Sequence, residues 1–312
     1  MVADMFMQDE ISFISDTHQY FNKQKEQYTS VSKVLDRIKV PFDREGISRR
    51  MAMTIAEETG VSVEQAQKEL LAEWEDTKNS SLNKGNYVHD GLEDYAKTGK
   101  VWDELDKPVA FMQEIFKQYY RFYPEVTLFS HRYKVAGRTD LILQRQKSRT
   151  DPVVDFIDYK SNEKKGICFD SIGRKEGILK HSNRYFLQPF DYLENCNYNI
   201  YSLQLSIYAF LAMELGDIRI GKLGIVFIDN FFNPTYIPVP FMYHEAKILC
   251  ELNLVIAKPL PDKDIFPILI HDETPITELD KGRIMVKDKM DSINKQYPMT
   301  PGEAFQIKDD WD

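Results

Sequence analysis

Three runs between residues 125 and 160, EVTLFSHRYKVAG, RTDLILQR and VVDFIDYK, are dense in β-branched and aromatic residues and are parted by Gly137 and by the turn-like QKSRTDP. Upstream, ISFI (11–14) and QYF (19–21) flank SDTH as a short hairpin. In YTSVSKVLDRI, Thr29 or Ser30 caps a helix with Val31, Val34, Leu35 and Ile38 on one stripe. Residues 48–77 are helix-rich and highly charged. SSLNKGNYVHDGLEDYAKTG (80–99) predicts another helix, with Val88, Leu92 and Tyr95 as its apolar stripe and Gly99 as its stop. A further helix is expected over about 108–122, carrying Val109, Met112, Ile115, Phe116 and Tyr119. After the three runs come a long irregular insertion over about 161–198, a helix (NIYSLQLSIYAFLAMEL), a strand (KLGIVFI) and a last helix (YHEAKILCELNLVIA). Helices, three strands, helix, strand, helix is the order of an α/β chain of the mixed α+β kind: a central mixed β-sheet flanked by α-helices, with a helical N-terminal part.

The expected organisation is an N-terminal hairpin and helical region over 1–79 packing on a core over 80–257, then a tail over 258–312. In the tail Pro259, Pro261, Pro267, Pro275, Pro298 and Pro301 break any long element. At its end MTPGEAF offers Thr300 as cap, Pro301 at the first helical position and Glu303 at the third, the pattern of one short helix.

With 312 residues, 43% of them hydrophobic, the chain can bury a real core. It has no apolar run of about 18 residues and no signal-peptide pattern, so it reads as a soluble, cytoplasmic protein with no membrane partner. Cys168, Cys196 and Cys250 lack C-x-x-C spacing, which argues against a zinc ribbon, an iron–sulfur cluster or a disulfide framework. The net charge of −9 conceals an uneven distribution: residues 131–184 hold 13 Lys and Arg against 7 Asp and Glu, a balance of +6 that leaves −15 for the rest. A solvated charged surface and a phosphate partner both fit that segment.

Four clusters put polar residues where a core-facing pattern does not expect them. In GNYVHDGLEDY, His89 and Glu93 stand one helical turn apart, beside Val88 and Leu92. In VAGRTDLIL, Asp140 sits among apolar residues after a glycine that permits a bend or close approach. Asp158 and Lys160 are two apart in a strand and share a face, whereas Asp155 faces the other way and reads as a structural or surface acid. Gln204 and Tyr208 share a helix face. Each has an ordinary alternative: a hydrogen-bonded core histidine, a turn aspartate, an exposed ion pair, a helix's polar edge.

Taken in order, the four clusters resemble the PD-(D/E)XK nuclease superfamily, in its RecB-like branch with phage exonucleases. There G-x-x-x-H-x-x-x-E precedes the sheet, as Gly85, His89 and Glu93 do here. One strand brings an aspartate after small residues (Ala136, Gly137, Asp140), the next brings acid-x-lysine (Asp158, Lys160), and a later helix brings Q-x-x-x-Y (Gln204, Tyr208). The likeness covers about 80–230, and the YTSVS stretch also looks like phage members. It implies a restriction-endonuclease-like core and a Mg²⁺- or Mn²⁺-dependent deoxyribonuclease. The absence of cluster cysteines and of a G-x-x-x-x-G-K-[ST] loop implies no iron–sulfur cluster and no nucleotide cofactor.

Phosphodiester hydrolysis needs an in-line water and stabilisation of charge on the phosphoryl oxygens, which hard divalent ions provide. The resemblance implies Asp140, Asp158, His89 and Glu93 as metal ligands, the histidine nitrogen making Mn²⁺ a plausible alternative to Mg²⁺. It implies a charge-stabilising role for Lys160 and a supporting one for Gln204 and Tyr208. Arg138, Lys164, Lys165, Arg174 and Lys175 would contact DNA phosphates, and Tyr185 and Phe186 serve either base stacking or core packing. The function expected is an exonuclease of replication, recombination or DNA degradation, acting in the host cytoplasm if phage-encoded. The alternatives are a structure-specific or restriction-like endonuclease of the same fold and a non-catalytic DNA-binding or packaging subunit. A protein partner or homo-oligomer fits the acidic remainder.

Overall fold

Ser30 ends one element and begins the next: it is the last residue of a strand, and its hydroxyl accepts the backbone N–H of Lys33 at 3.3 Å as the cap of the helix that follows. Such local signals set most of the elements. The computed structural model of the protein describes residue 6 and residues 10–15, 17–147, 152–161, 167–169 and 185–257. In chain order these form β1 (Ile11–Ile14), β2 (Gln19–Asn22), β3 (Gln27–Ser30), α1 (Val31–Asp36), α2 (Arg44–Thr59), α3 (Val63–Thr98), α4 (Asp106–Phe116) and β4 (Arg121–Ser130). They continue with β5 (Val135–Gln144), β6 (Val153–Ser161), α5 (Asn197–Leu215), β7 (Arg219–Ile228), β8 (Pro234–Val239) and α6 (Tyr243–Ala257). The chain divides into a unit Met1–Val255, to which this account applies, and a second unit Ile256–Asp312. The expected tail and terminal helix over 258–312 lie outside the described residues, as does most of the insertion expected over 161–198.

Several boundaries differ from the sequence expectation. The helix read over 80–99 is the last part of the 36-residue α3, so no domain break falls at 79/80. Its interior lacks proline, and its two interior glycines, Gly85 and Gly91, cost only about 1 kcal/mol each against alanine. Gly99 ends it as expected, with φ 79° and its N–H on Tyr95 O at 2.8 Å. The next helix closes at Phe116 rather than near 122, because β4 takes over at Arg121 and carries Pro124 within it. Gly137 lies inside β5; the break between strands falls at 131–134. Gly137 is needed there for a close approach, since a Cβ would come within 2.6 Å of both Val31 Cγ2 and Tyr208 Cε1. β3 and β8, four and six residues long, were not foreseen.

The eight strands form one mixed sheet in the order β1-β2-β3-β5-β6-β7-β8, with β4 paired to β5 off that path. β3 runs parallel to β5 and β6 parallel to β7, while the remaining pairs are antiparallel. This is the mixed α/β architecture read from the sequence. On one face Val88 and Leu92 of α3 and Val109, Met112 and Ile115 of α4 pack with Leu141, Leu143, Ile157 and Val226. Each such fully buried side chain contributes roughly 1.5–3 kcal/mol. The opposite face receives α1 and α5. Leu203, Leu205, Ile207, Tyr208, Ala209, Phe210 and Leu211 of α5 are all buried, as expected of a helix apolar nearly all round. Among the described residues no helix is long and apolar enough to cross a membrane.

Candidate active site at a fork in the sheet

β5 and β6 pair antiparallel only from Gln144↔Val154 to Leu141↔Ile157. Beyond that pair they part. Toward its N-terminus β5 goes over to β3 (Ser30↔Ala136, Thr29↔Val135), while β6 continues along β7 to Lys160↔Phe227 and Ser161↔Ile228. Asp140 and Asp158 are the residues one step past the last pair, so the register sets them opposite each other at the mouth of the fork. The Tyr159 N–H, which has lost any ladder partner on β5, donates instead to Asp140 Oδ2 at 2.6 Å.

The second flank of β5 adds an acid. β4 pairs Pro124 with Leu141 and Val126 with Thr139, which sets Glu125 opposite Asp140. Glu125 has φ 54°, a left-handed backbone that a non-glycine residue holds only at a cost. From α3, His89 Nδ1 lies 3.4 Å from Asp140 Oδ1. His89, Glu125 and Asp140 each offer one ligand atom within 4.8 Å of the others, a nitrogen and two carboxylate oxygens. Asp140 has the opposite strand parity to Leu141, which packs under α3; separation of the strands lets a histidine from the α3 face reach it.

Asp158 stands outside this group of three. Its Oδ2 is buried and ion-paired with the Lys160 ammonium. Thr139 Oγ1 and Ser161 Oγ are buried without a hydrogen bond, and both hydroxyls belong to the strand segments at the fork. Each costs about 1–3 kcal/mol when left unmet. Lys160 Nζ also sits 5.0 Å from the centre of the Tyr201 ring. Gln204 Nε2 donates to Tyr208 Oη at 3.1 Å, so Tyr201, Gln204 and Tyr208 form one stripe of α5 under the fork.

The electrostatics follow from burying acids together. Burial pushes the Asp158 carboxyl up to about 6, with Asp140 adding to this and Lys160 opposing it. Burial likewise pushes Glu125 to about 7, Asp140 and Glu93 adding to it against Arg138 and His89. For Asp140 burial raises the pKa, but His89, Lys160 and the Tyr159 N–H bring it below the usual range. Burial lowers His89, and Asp140 more than reverses this, raising it to about 9. Burial also works against the Lys160 ammonium, yet Asp158 and Asp140 hold its pKa above the ordinary value.

Of the residues expected at a site, His89, Asp140, Asp158, Lys160, Gln204 and Tyr208 meet at the fork. Glu93 lies one turn along α3 from His89 with its carboxylate on Lys97, near enough for its charge to be felt at Glu125. Arg138, expected on DNA, is ion-paired with Glu125 and lies 4.9 Å from the Phe13 ring. Lys164, Lys165, Arg174 and Lys175 lie outside the described residues. Phe186 is buried, which favours its packing role, whereas Tyr185 is half-buried and bridges to Glu194. Asp155 is a structural acid: it is buried and accepts from Arg145 Nε at 2.9 Å, Tyr119 Oη at 2.6 Å and Lys222 N at 2.7 Å. Glu125 and Tyr201 were missed. Tyr201 was within reach, three and seven residues before Gln204 and Tyr208, but Glu125 depends on a strand register that no local pattern gives.

No protein-family model and no curated protein matches the chain. Among solved structures, one described as "Crystal structure of SSO0001" is 13% identical, covers 73% of this chain and 85% of its own, and has a TM-score of 0.25. A likeness that slight bears on neither fold nor function.

Proposed function

We propose that the chain is a metal-dependent deoxyribonuclease of the PD-(D/E)XK superfamily, RecB-like branch, acting as an exonuclease of phage type in the cytoplasm where its DNA substrate lies. The observation that carries this reading is the fork. It gathers His89, Glu125 and Asp140 within ligand distance of one another, with Asp158 and Lys160 on the adjoining strand.

The residues present suit a hard divalent cation. A nitrogen and two carboxylate oxygens converge, the buried Asp158 carboxylate lies on the adjoining strand against Lys160, and burial raises the carboxyl pKa values of Glu125 and Asp158, which a bound cation would reverse. His89, Glu125, Asp140 and Asp158 would hold Mg²⁺ or Mn²⁺, and the ion would supply Lewis-acid stabilisation of a phosphoryl group and acidify a water. The protein's own groups do the rest. Lys160 is kept protonated by Asp158, so it acts as a fixed cation toward a phosphoryl oxygen and not as a base. Its ammonium is steadied by the Tyr201 ring and its partner carboxylate. Tyr208, held by Gln204, packs directly beneath Gly137 and fixes the strand that carries Asp140.

Incubation with Mg²⁺ or Mn²⁺ on linear and on closed circular DNA tests the reading. Loss of the linear form alone is the expected result, and cutting of the circle would make the protein an endonuclease instead. Binding without turnover on any substrate would leave only a DNA-binding role. Asp158→Ala and Lys160→Ala should each lower turnover by at least about 100-fold while the far-ultraviolet circular dichroism stays unchanged.

A further inference from the structure

The turn between β7 and β8, residues 229–233, begins one residue past Ile228, and Ile228 pairs with Ser161, the neighbour of Lys160. The turn therefore projects from the end of the sheet where the fork opens. At a rise of about 3.3 Å per residue, its tip is within roughly 10–15 Å of Lys160, a span of two or three nucleotides of an extended strand.

This turn is built firmly. Asp229 Oδ1 accepts the N–H groups of Phe231 and Asn233, both at 2.8 Å, and Asp229 Oδ2 accepts Asn233 Nδ2 at 3.0 Å. Two helices clamp it from below: Lys84 of α3 donates to Asp229 O at 2.9 Å and to Asn230 Oδ1 at 2.8 Å, and Lys107 of α4 donates to Asn233 Oδ1 at 2.8 Å. Lys84 is five residues before His89 on α3, about 7.5 Å along the axis. Phe232, at φ 56°, folds back against the sheet core under the Lys84 ammonium.

Phe231 does the opposite. It is 76% exposed, the most exposed of the large hydrophobic side chains among the described residues. A lone exposed apolar side chain is ordinary on a flexible surface, but here an ordered turn, anchored by two lysines and an aspartate, holds an aromatic ring in water beside a candidate phosphodiester-cleaving site. An aromatic face that has been positioned and left bare suits a nucleobase, since every base offers a π-face irrespective of sequence.

We infer that Phe231 is a stacking platform for a base of the DNA strand entering the fork, seating a single-stranded end or a frayed terminal nucleotide. The inference rests on the nuclease reading for its substrate class. The test uses the full-length protein, as wild type, Phe231→Ala and Phe231→Trp. The probe is duplex DNA with four-nucleotide single-stranded extensions carrying 2-aminopurine at each position in turn, first with Ca²⁺ to follow binding and then with Mg²⁺ or Mn²⁺ to follow cleavage. Quenching at one position near the end is expected with wild type. It should be lost in Phe231→Ala together with about ten-fold of affinity and restored in Phe231→Trp. Unchanged quenching and affinity in Phe231→Ala, with wild type still cutting, would overturn the platform and leave the nuclease reading intact. Position-specific quenching that depends on Phe231, without cleavage by wild type, would uphold the platform and overturn the nuclease. Failure of wild type either to bind or to cut would overturn both.

Discussion

Asp140 accepts the Tyr159 backbone N–H through Oδ2 at 2.6 Å while its other oxygen faces His89 Nδ1 at 3.4 Å. One carboxylate thus ties two strands together with one oxygen and offers the second to the site. Asp140→Asn keeps an acceptor for Tyr159 and removes the charge. It should lose turnover by about 100-fold or more, with urea unfolding shifted by less than about 1 kcal/mol. Asp140→Ala also abandons the N–H and should lose a further 1–3 kcal/mol or so. Equal stability of the two variants would show that the strand tie contributes nothing.

The pH dependence of the ion-free protein has a definite sign. His89 rises from its ordinary 6.5 to about 9 in the fold, so its contribution is complete below 6.5 and is lost as pH climbs through 9. Glu125, raised from 4.5 to about 7, acts in the same sense between those values, and Asp158, raised from 3.8 to about 6, does so between its own. Asp140, depressed, opposes them only below its ordinary 3.8. Melting temperature in EDTA should therefore fall steadily from about pH 5 to pH 9. Mn²⁺ needs a neutral imidazole, so its binding at pH 7.5 should release a proton. Calorimetry in buffers of different ionisation enthalpy measures that release, and His89→Gln should remove most of it, leaving the smaller share that Glu125, raised to about 7, gives up.

Glu125 was invisible to motif reading, yet it shares the ligand group with His89 and Asp140. Glu125→Gln should weaken Mn²⁺ binding by at least about 10-fold, the lower end of what even an outer partner contributes. An unaltered titration would remove Glu125 from the ligand set and leave it as the Arg138 partner alone.

Gly137→Ala tests how tightly the helices sit on β5. A methyl group would meet Val31 Cγ2 and Tyr208 Cε1 at 2.6 Å, so α1 or α5 must retreat at a cost of about 1–3 kcal/mol. The urea midpoint should drop with the slope unchanged, and Gln204 and Tyr208 should shift in amide spectra. A midpoint within error of wild type would mean that the helices yield freely.

Much of this arrangement was legible because it is local. The hairpin of β1 and β2, the Ser30 cap, the Val31, Val34, Leu35 and Ile38 stripe and the Gly99 stop each depend on a few adjacent residues, and all recur in the fold. The same holds for Asp158 with Lys160 and for Gln204 with Tyr208, whose spacing matches the period of their own element. Glu125 could not be read so, because its place follows from which residue of β4 faces Asp140, a matter of long-range register. α3 was read as two helices because its charged middle carries no apolar stripe to mark continuity. β3 escaped because it runs straight into the Ser30 cap of α1, and β8 because Pro234 and Pro238 fall within it.

Among the described residues β4 pairs with β5 alone and so forms a border of the sheet, the kind of edge at which another chain can add a strand. Pro124 has no N–H to give there, and the left-handed Glu125 beside it turns the strand out of plane. The kink that aims a carboxylate at the fork therefore also spoils the flat border on which a second copy would add a strand, guarding the protein against edge-to-edge aggregation.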